Sequence, residues 1–291
     1  PLRKRKKMLK GAQKILNEMK VEIARTISFE TGKPRVESFN TDIIPAISAF
    51  DYSISKQKEL FKRKKVHLGG LNFLMRTLGK KSYIFPRPLG VIGVISPWNY
   101  PFGIPASETI MAVAAGNAVL LKPSSETPLT AMWIQEVFAR ADFPLDLVQV
   151  MPGKGSKIGQ ALIESDVDRI VFTGSVNIGK KVMRDASQNL TPVTLELGGK
   201  DPFIVFEDAN MERVLNGAVW GSFLNSGQTC VGTKRIYVQK SIYQEFMEKF
   251  KQKVESLKQG FDWKDPSISL GPLINEQALE DMKGYVKKAL E

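Results

Sequence analysis

The feature that most constrains the fold is a series of short apolar runs after Gly90, which alternate with amphipathic helical patterns. Nearly every position of these runs is apolar, as in strands that are buried on both faces of a sheet. The runs cover residues 91–95, 118–121, 147–151, 169–172, 193–197, 203–206 and 235–238, with helical candidates at 130–141, 157–164, 178–187 and 211–224. This order predicts an α/β fold, a parallel sheet with helices on both sides that binds nucleotides at the carboxyl ends of its strands.

The part of the chain before this series is predicted to be helical. Apolar residues recur at helical spacing as Leu9, Leu16, Met19, Ile23 and Ile27. The segment Gly32-Lys33-Pro34 predicts the end of the first helix. Two prolines exclude a helix from residues 82–88, which we interpret as an extended segment that forms an edge or interface strand.

Length and composition exclude several classes of protein. With 291 residues, 43% of them hydrophobic, the chain can bury a sizeable core, and its length favours two domains. It contains no stretch of about 18 uncharged apolar residues, so we expect no membrane span. A single cysteine cannot form an internal disulfide, which fits a reducing compartment and predicts a cytoplasmic protein. The first residue is Pro1 rather than Met, so we expect the natural start to lie upstream and assign no targeting signal.

The formal net charge of +12 raises the question of a nucleic-acid partner. The densest basic runs cover residues 3–7 and 62–65. Neither run is interleaved with aromatic residues, and both lie beside amphipathic helical patterns whose wet faces ordinarily carry Lys and Arg. We therefore interpret them as solvated faces and predict no nucleic-acid partner.

The only cysteine, Cys230, lies in the segment N-S-G-Q-T-C-V-G at residues 225–232. A thiol that serves packing usually lies among apolar neighbours, whereas the small residues here let the backbone approach a ligand. We interpret Cys230 as a nucleophile. A free thiol that merely fills space is the alternative.

Two glycine-rich segments compete for a phosphate-binding role. The segment 153–159 has one residue too many for the dinucleotide motif G-x-G-x-x-G. The segment 174–181 matches G-x-x-x-x-G-K of a P-loop, but Lys181 takes the place of the hydroxyl that ligates magnesium. The predicted strand at 169–172 leads through Gly174 and Ser175 into a helix whose N-terminus can hold an anion. The spacing favours a dinucleotide site. A structural turn and a P-loop remain as alternative interpretations.

Two polar side chains follow predicted strands. Glu196 lies between two leucines, where we expect desolvation to make it a general base, and a salt bridge to Lys200 is the alternative. Asn99 lies between Pro97 and Pro101, a rigid mount for an amide donor. A simple turn residue is the alternative for Asn99.

Taken together and in this order, five motifs resemble the aldehyde dehydrogenase superfamily. They are P-W-N-Y-P, L-L-K-P-S, F-T-G-S-x-x-x-G, L-E-L-G-G-K and G-Q-T-C-V-G, and the likeness is densest from residue 82 to 238. It implies a Rossmann-like cofactor domain, a second α/β catalytic domain that is incomplete here, and a small oligomerisation strand segment. The implied boundaries are 1–67 and 88–198 for NAD(P) binding, 68–87 for an oligomerisation or bridging segment, and 199–291 for the first part of the catalytic domain.

The resemblance also implies a mechanism. Cys230 would attack the aldehyde carbon as a thiolate, and the Asn99 amide and the Cys230 backbone N–H would hold the oxyanion. Glu196 would then activate the water that hydrolyses the thioester to a carboxylate. Members that pass the acyl group to coenzyme A generally lack this acid, so Glu196 favours a non-acylating enzyme.

The implied cofactor is NAD or NADP, and no metal site is predicted. Its binding residues would be Trp98, Lys122, Ser125, Gly174, Ser175, Gly179, Leu197 and Gly198. Many NAD-preferring relatives read K-P-S-E after the lysine, whereas this chain reads K-P-S-S-E. Because Ser125 leaves room for a 2′-phosphate, we predict that NADP is accepted and leave a preference for NADP open.

The predicted partner is a small aldehyde. The substrate neighbours Tyr100, Ile104, Thr229 and Val231 are mostly apolar or small and suggest an aliphatic aldehyde or a semialdehyde, such as succinic semialdehyde. A catalytically silent binding or structural member is the alternative. The family's E-x-F-G-P segment and final strand do not follow Cys230, so we expect a truncated chain. For the full-length protein the resemblance implies a homo-oligomer, either a dimer or a tetramer.

Overall fold

The computed structural model describes residues 2–66 and 72–291, and its first part is helical. The elements are α1 (Leu2–Thr31), α2 (Arg35–Glu37), a π-helical turn (Ser38–Ile43) and α3 (Ile44–Leu60). The predicted core residues of α1 are all buried: Leu9, Leu16, Met19, Ile23 and Ile27. Helix α1 ends at Thr31 because Gly32 takes a left-handed φ of 75° and Pro34 lacks a backbone N–H.

A short antiparallel pair follows the helical part. Its strands are β1 (Lys64–Lys65) and β2 (Tyr83–Ile84), with α4 (Asn72–Thr77) between them. The extended segment predicted at 82–88 therefore contains β2. The predicted domain boundary between residues 67 and 68 lies outside the described residues, and the division of the chain into domains stays a prediction.

The central sheet has five parallel strands in the order β5–β4–β3–β6–β7. They are β3 (Val91–Ile95), β4 (Ala118–Lys122), β5 (Val148–Val150), β6 (Arg169–Gly174) and β7 (Val193–Leu197). Each coincides with a predicted apolar run, which confirms the parallel sheet. The strand order runs outward from β3 in both directions, so a switch point lies between β3 and β6. A crevice for a ligand is expected there, at the carboxyl edge.

Helices cover both faces of this sheet. They are α5 (Gly103–Ala115), α6 (Pro128–Arg140), α7 (Gln160–Glu164) and α8 (Val176–Ala186). One core joins the sheet to α1, α3, α5 and α6, and a second core joins it to α7 and α8. Helix α5 is not among the predicted helices. All of its residues except Met111 are buried or half-buried, so it lacks the contrast between a polar and an apolar face that marks a surface helix.

A smaller unit follows the central sheet. Strands β8 (Asp201–Val205) and β9 (Thr233–Val238) pair in parallel, and α9 (Met211–Phe223) and α10 (Tyr243–Glu255) pack with them around Phe246. Helix α11 (Glu276–Leu290) comes last. Strand β8 begins two residues before the predicted run because a bulge between Asp201 and Pro202 accommodates the missing N–H of the proline. The second unit agrees with the α/β fold that the sequence predicts.

No helix in residues 2–66 and 72–291 has both the length and the apolar character that a membrane crossing requires.

Candidate active site

The loop that carries Cys230 connects α9 to β9 and has an unusual backbone. Asn225 and Ser226 take left-handed φ values of 53° and 56°, and Gly227 follows at 76°. Asparagine visits this region more readily than most residues, but serine does so rarely. A backbone of this kind persists only where its surroundings hold it.

Hydrogen bonds from three other segments of the chain hold this loop. They run from Asn225 N to Glu37 Oε1 (2.9 Å), from Asn225 Nδ2 to Asn99 O (3.0 Å), from Ser226 Oγ to Gly271 O (2.8 Å) and from Ile274 N to Gln228 Oε1 (3.0 Å). Gly271 in turn packs so closely that a side chain there would collide with the backbone of Gly32. The position of Cys230 therefore depends on contacts that are distant in sequence.

The side-chain amide of Asn99 lies against the same loop. Its Nδ2 donates to Gln228 O at 3.0 Å, and its Oδ1 accepts from Tyr100 N at 3.1 Å. These two bonds fix which end of the amide is the donor. Because Nδ2 carries two hydrogens, one remains for a ligand.

Two clefts meet at Cys230, whose side chain is half-buried. The α8 cleft, about 430 Å³, lies at the N-terminus of α8, and the α5 cleft, about 470 Å³, lies against α5. The α8 cleft is lined in part by Trp98, Asn99, Gly174, Ser175 and Leu197, and the α5 cleft in part by Tyr100, Ile104, Ser107, Glu108 and Val231. Thr173, Glu196 and Cys230 line both. A thiol at this junction is accessible to two ligands that bind on opposite sides of it.

Glu196 lies opposite Thr173 in the pairing of β6 with β7. Its side chain is exposed, so the expectation that its leucine neighbours desolvate it is wrong. Adjacent residues of a strand point to opposite faces, and the two leucines therefore lie on the other side of the sheet from the acid. Within the described residues it forms no ion pair with Lys200, and its carboxyl group faces the two clefts.

The desolvated carboxyl group of the site is Glu108 on α5, which lies outside the predicted site residues. Its Oε1 accepts from Thr173 Oγ1 at 3.0 Å, and its Oε2 is buried without a hydrogen-bond partner among the described residues. Burial raises the pKa of Glu108 to about 7; the Thr173 hydrogen bond opposes this shift and the charge of Glu196 adds to it. Glu108 lies four residues after Ile104, which places both on one helix face, but this spacing carries information only once α5 is known to be a helix.

Tyr100 forms a wall of the α5 cleft. Burial raises its pKa to about 12, so its hydroxyl keeps its proton. Its ring centroid lies 4.3 Å from Lys33 Nζ, which also contacts Asp42 Oδ2 at 2.7 Å. Asp42 Oδ1 accepts from the backbone N–H of Phe102 and of Gly103, so this buried ion pair also holds the start of α5.

The structure gathers several of the predicted cofactor residues at the N-terminus of α8. Ser175 caps the helix, because its Oγ accepts from Ile178 N at 3.4 Å. At Gly179 a Cβ atom would lie 2.6 Å from Leu197 Cδ2, so only glycine lets α8 approach β7 this closely. The free N–H groups and the positive dipole end of α8 make this position suitable for a phosphate group.

Besides Gly179, three more predicted cofactor residues do not line the α8 cleft. Lys122, at the end of β4, is buried, its Nζ donates to Pro123 O at 2.6 Å, and burial lowers its pKa. Ser125 is exposed, and its Oγ donates to Gly153 O at 3.0 Å. Gly198 follows β7 in open space. Lys122 and Ser125 lie further along the carboxyl edge of the same sheet.

Comparison with known proteins identifies the family to which this arrangement belongs. The sequence profile described as "Aldehyde dehydrogenase family" matches residues 1–291.

The chain belongs to the aldehyde dehydrogenase family.

Its relatives include NADP(+)-dependent enzymes. Over 209 residues it is 42% identical to the D-glyceraldehyde dehydrogenase (NADP(+)) of Picrophilus torridus, a match that covers 71% of this chain and 42% of that enzyme. Over 290 residues it is 33% identical to the NADP(+) succinate-semialdehyde dehydrogenase of Escherichia coli, with 99% and 58% covered. The chain thus spans little more than half the length of the E. coli enzyme.

Solved structures agree with this assignment. The crystal structure of PnpE, a Pseudomonas protein, in complex with nicotinamide adenine dinucleotide superposes with a TM-score of 0.92 at 33% identity. The match covers 99% of this chain and 57% of that one. The aldehyde dehydrogenase resemblance of the sequence and its α/β fold are therefore confirmed, and four of the five motifs that carry it contribute lining residues to the two clefts.

Proposed function

We propose that the full-length protein oxidises an aldehyde to a carboxylate with NAD or NADP. The observation that supports this most is the meeting of two clefts at Cys230, with the Asn99 amide and the Glu196 carboxyl group beside it. The relatives carry names of enzymes for an uncharged aldehyde and for a carboxylated one. Aldehyde oxidation is what these names share, and they leave the class of aldehyde open.

Cys230 is the nucleophile of this proposal. As a thiolate it attacks the aldehyde carbon, the S–C bond forms, and the carbonyl oxygen becomes an oxyanion. The second hydrogen of Asn99 Nδ2 and the backbone N–H of Cys230 donate to that oxyanion. The pinned loop at 225–228 keeps both donors in place, because Asn225 binds the backbone of Asn99 directly.

The α8 cleft would hold the dinucleotide. Gly174, Ser175 and the N-terminus of α8 suit its pyrophosphate, and the missing side chain of Gly179 gives α8 its close position on the sheet. Lys122 and Ser125, further along the carboxyl edge, would hold the adenosine ribose. When bound, the oxidised nicotinamide supplies the acceptor for the hydride that leaves the aldehyde carbon.

Glu196 is the general base for hydrolysis. It takes a proton from water, the water oxygen bonds to the thioester carbon, and the C–S bond breaks to return Cys230 as a thiolate. Because Glu196 is exposed, it can return the proton to solvent directly. The products are a carboxylate and an enzyme ready for the next aldehyde.

The substitution Cys230→Ala tests the nucleophile. We expect aldehyde oxidation by the full-length protein to fall by at least about a thousandfold, because no covalent intermediate can form. Reduced cofactor is followed by its absorbance, and cofactor binding by fluorescence serves as the control for folding. Sustained turnover in this variant contradicts the mechanism.

The substitution Glu196→Gln tests the base. We expect one equivalent of reduced cofactor per active site, followed by a stall, because acylation proceeds and hydrolysis does not. A stopped-flow trace measures the burst, and mass spectrometry detects the acyl group on Cys230. A linear trace without a burst argues against this role.

We also infer that the full-length protein is a homo-oligomer of the cytoplasm. The exposed side chains of Ile84 and Phe85 beside the β1–β2 pair support an interface, and the single cysteine supports a reducing compartment. Sedimentation velocity of the full-length protein measures the oligomeric state, and a monomer contradicts the inference.

A further inference from the structure

The α5 cleft has an unusual charge composition, because one relative of the chain is named for an aldehyde that carries a carboxylate. Most of its described lining residues are apolar or small, among them Pro45, Ile104, Leu224 and Val231. The charged residues in this lining are Glu108 and Glu196, and none of the described lining residues is a lysine, an arginine or a histidine. An anionic substrate would therefore meet two acids here.

Glu108 is placed in the cleft by the geometry of α5. Ile104, Ser107 and Glu108 lie three and four residues apart, so one face of the helix presents all three to the cleft. Thr173 satisfies only Oε1 of the carboxyl group, and Oε2 is left buried without a partner. Among the described residues, no cation is found against this oxygen to offset the electrostatic field that it imposes on a bound ligand.

Lys33, the cation behind the Tyr100 wall of the cleft, is already neutralised. Lys33 lies behind the ring of Tyr100, where its Nζ contacts Asp42 Oδ2 at 2.7 Å and Thr41 Oγ1 at 3.2 Å. The side chains of Lys33 and Asp42 are 1% and 0% exposed. Separating this pair to bind a substrate carboxylate would leave Asp42 as an uncompensated buried charge, which is strongly unfavourable.

We propose that Glu108 is a specificity-determining residue that disfavours aldehydes with an anionic group and makes uncharged aldehydes the substrate class of the α5 cleft. This inference rests on the proposed aldehyde oxidation. A substrate carboxylate would lose its water in an apolar cleft and gain no counter-ion from the described lining residues, while the like charges of Glu108 and Glu196 repel it. An uncharged aldehyde of the same length avoids both costs.

The first test compares two substrates that differ by one charge, 4-oxobutanoate and its methyl ester. For the full-length enzyme at about pH 9, above the raised pKa of Glu108, we expect kcat/KM for the ester to exceed that for the anion by about a hundredfold, since both carboxylates are then charged and repel the anion. Glu108→Gln should reduce this preference by about tenfold, and Glu108→Asp, which keeps the charge, should retain it. Glu136→Gln removes an exposed carboxylate on α6 that pairs with Arg140 and should leave the preference unchanged.

A second test needs neither turnover nor a variant. Iodoacetamide and iodoacetate have nearly the same size and differ in charge, and both alkylate thiolates. At about pH 9, where Glu108 is charged, we expect iodoacetate to label Cys230 at least about tenfold more slowly than iodoacetamide, relative to a free thiol, as followed by peptide mass spectrometry. Glu108→Gln should reduce this difference between the two labelling rates.

The outcomes separate this inference from the proposed function. If the full-length enzyme oxidises both aldehydes equally, or prefers the anion, the charge selection is wrong and aldehyde oxidation stands. If Glu108→Gln leaves both the substrate preference and the labelling ratio unchanged, Glu108 does not determine specificity. If neither aldehyde is oxidised, the proposed function fails and the substrate class fails with it, whatever the labelling shows.

Discussion

The two clefts that meet at Cys230 are built from different materials. The α8 cleft relies on backbone groups and small residues, such as Gly174 and Ser175 at a helix N-terminus. The α5 cleft relies on larger side chains, of which Tyr100, Ile104 and Glu108 are the most prominent. A backbone-built site tolerates few changes of residue, whereas a site built from side chains can change its preference by substitution. The first therefore suits a constant ligand and the second a variable one.

The largest effect that tests this comparison is expected at Asn99, which donates at the junction. Asn99→Ala should lower kcat by about a hundredfold to a thousandfold, the cost of one lost oxyanion donor. Asn99→Asp keeps the shape but removes the donor, and we expect a loss of similar size. Steady-state kinetics of the full-length enzyme measure both variants.

Thermal unfolding is the control for Asn99, because its Nδ2 also bonds Gln228 O. If kcat of both variants stays within a few fold of the wild-type value, the oxyanion donor lies elsewhere.

The buried acid of the α5 cleft predicts a dependence of stability on pH. The pKa of Glu108 is raised from the usual value of 4.5 to about 7, so the stability it contributes is fully present below about pH 4.5. That contribution is lost as the pH rises through about 7. The Glu108→Gln variant has no ionisable group at this position and should not show this loss. The difference in free energy of unfolding, variant minus wild type, should therefore increase by up to about 3 kcal/mol between acidic and alkaline pH.

Urea unfolding of both proteins at several pH values measures this difference. Groups other than Glu108 titrate in both proteins and cancel in the comparison. A difference that does not vary with pH means that the carboxyl group is already solvated.

The smallest effect is expected at the far end of the cofactor site. Ser125→Glu places a carboxylate where a 2′-phosphate would lie, and we expect the ratio of kcat/KM for NADP to that for NAD to fall by about tenfold. Ser125→Ala removes the hydroxyl without adding a charge and should shift the ratio less. An unchanged ratio in Ser125→Glu shows that Ser125 does not contact the ribose.

The fold was predictable wherever hydrophobic periodicity is strong. The runs at 91–95 and 193–197 coincide with β3 and β7 because strands buried on both faces are apolar throughout. Helix α5 was not predictable in this way, since all of its residues except Met111 are buried or half-buried and its hydrophobic periodicity is weak. The start of β8 was missed because Pro202 is an unfavourable strand residue that only a bulge accommodates.

The site was predictable to the extent that motifs encode it. The structure brings Cys230, Glu196, Asn99 and Trp98 together around one cleft. The environment of each acid was not predictable, because desolvation depends on contacts between elements far apart in sequence. Thr173 on β6 and Glu108 on α5 are 65 residues apart, and only the packed structure shows that they share a hydrogen bond.

The close approach of Gly271 to Gly32 ties the nucleophile to the opposite end of the sequence. Gly271 O accepts a hydrogen bond from Ser226 Oγ. Any side chain at either glycine would push the segments around residues 32 and 271 apart. Inherited or engineered changes at residue 32 can therefore displace the loop that carries Cys230, nearly two hundred positions away, and abolish the reactivity of its thiol without contacting a substrate. Such a defect would resemble loss of a reactive group, although every reactive group is still present.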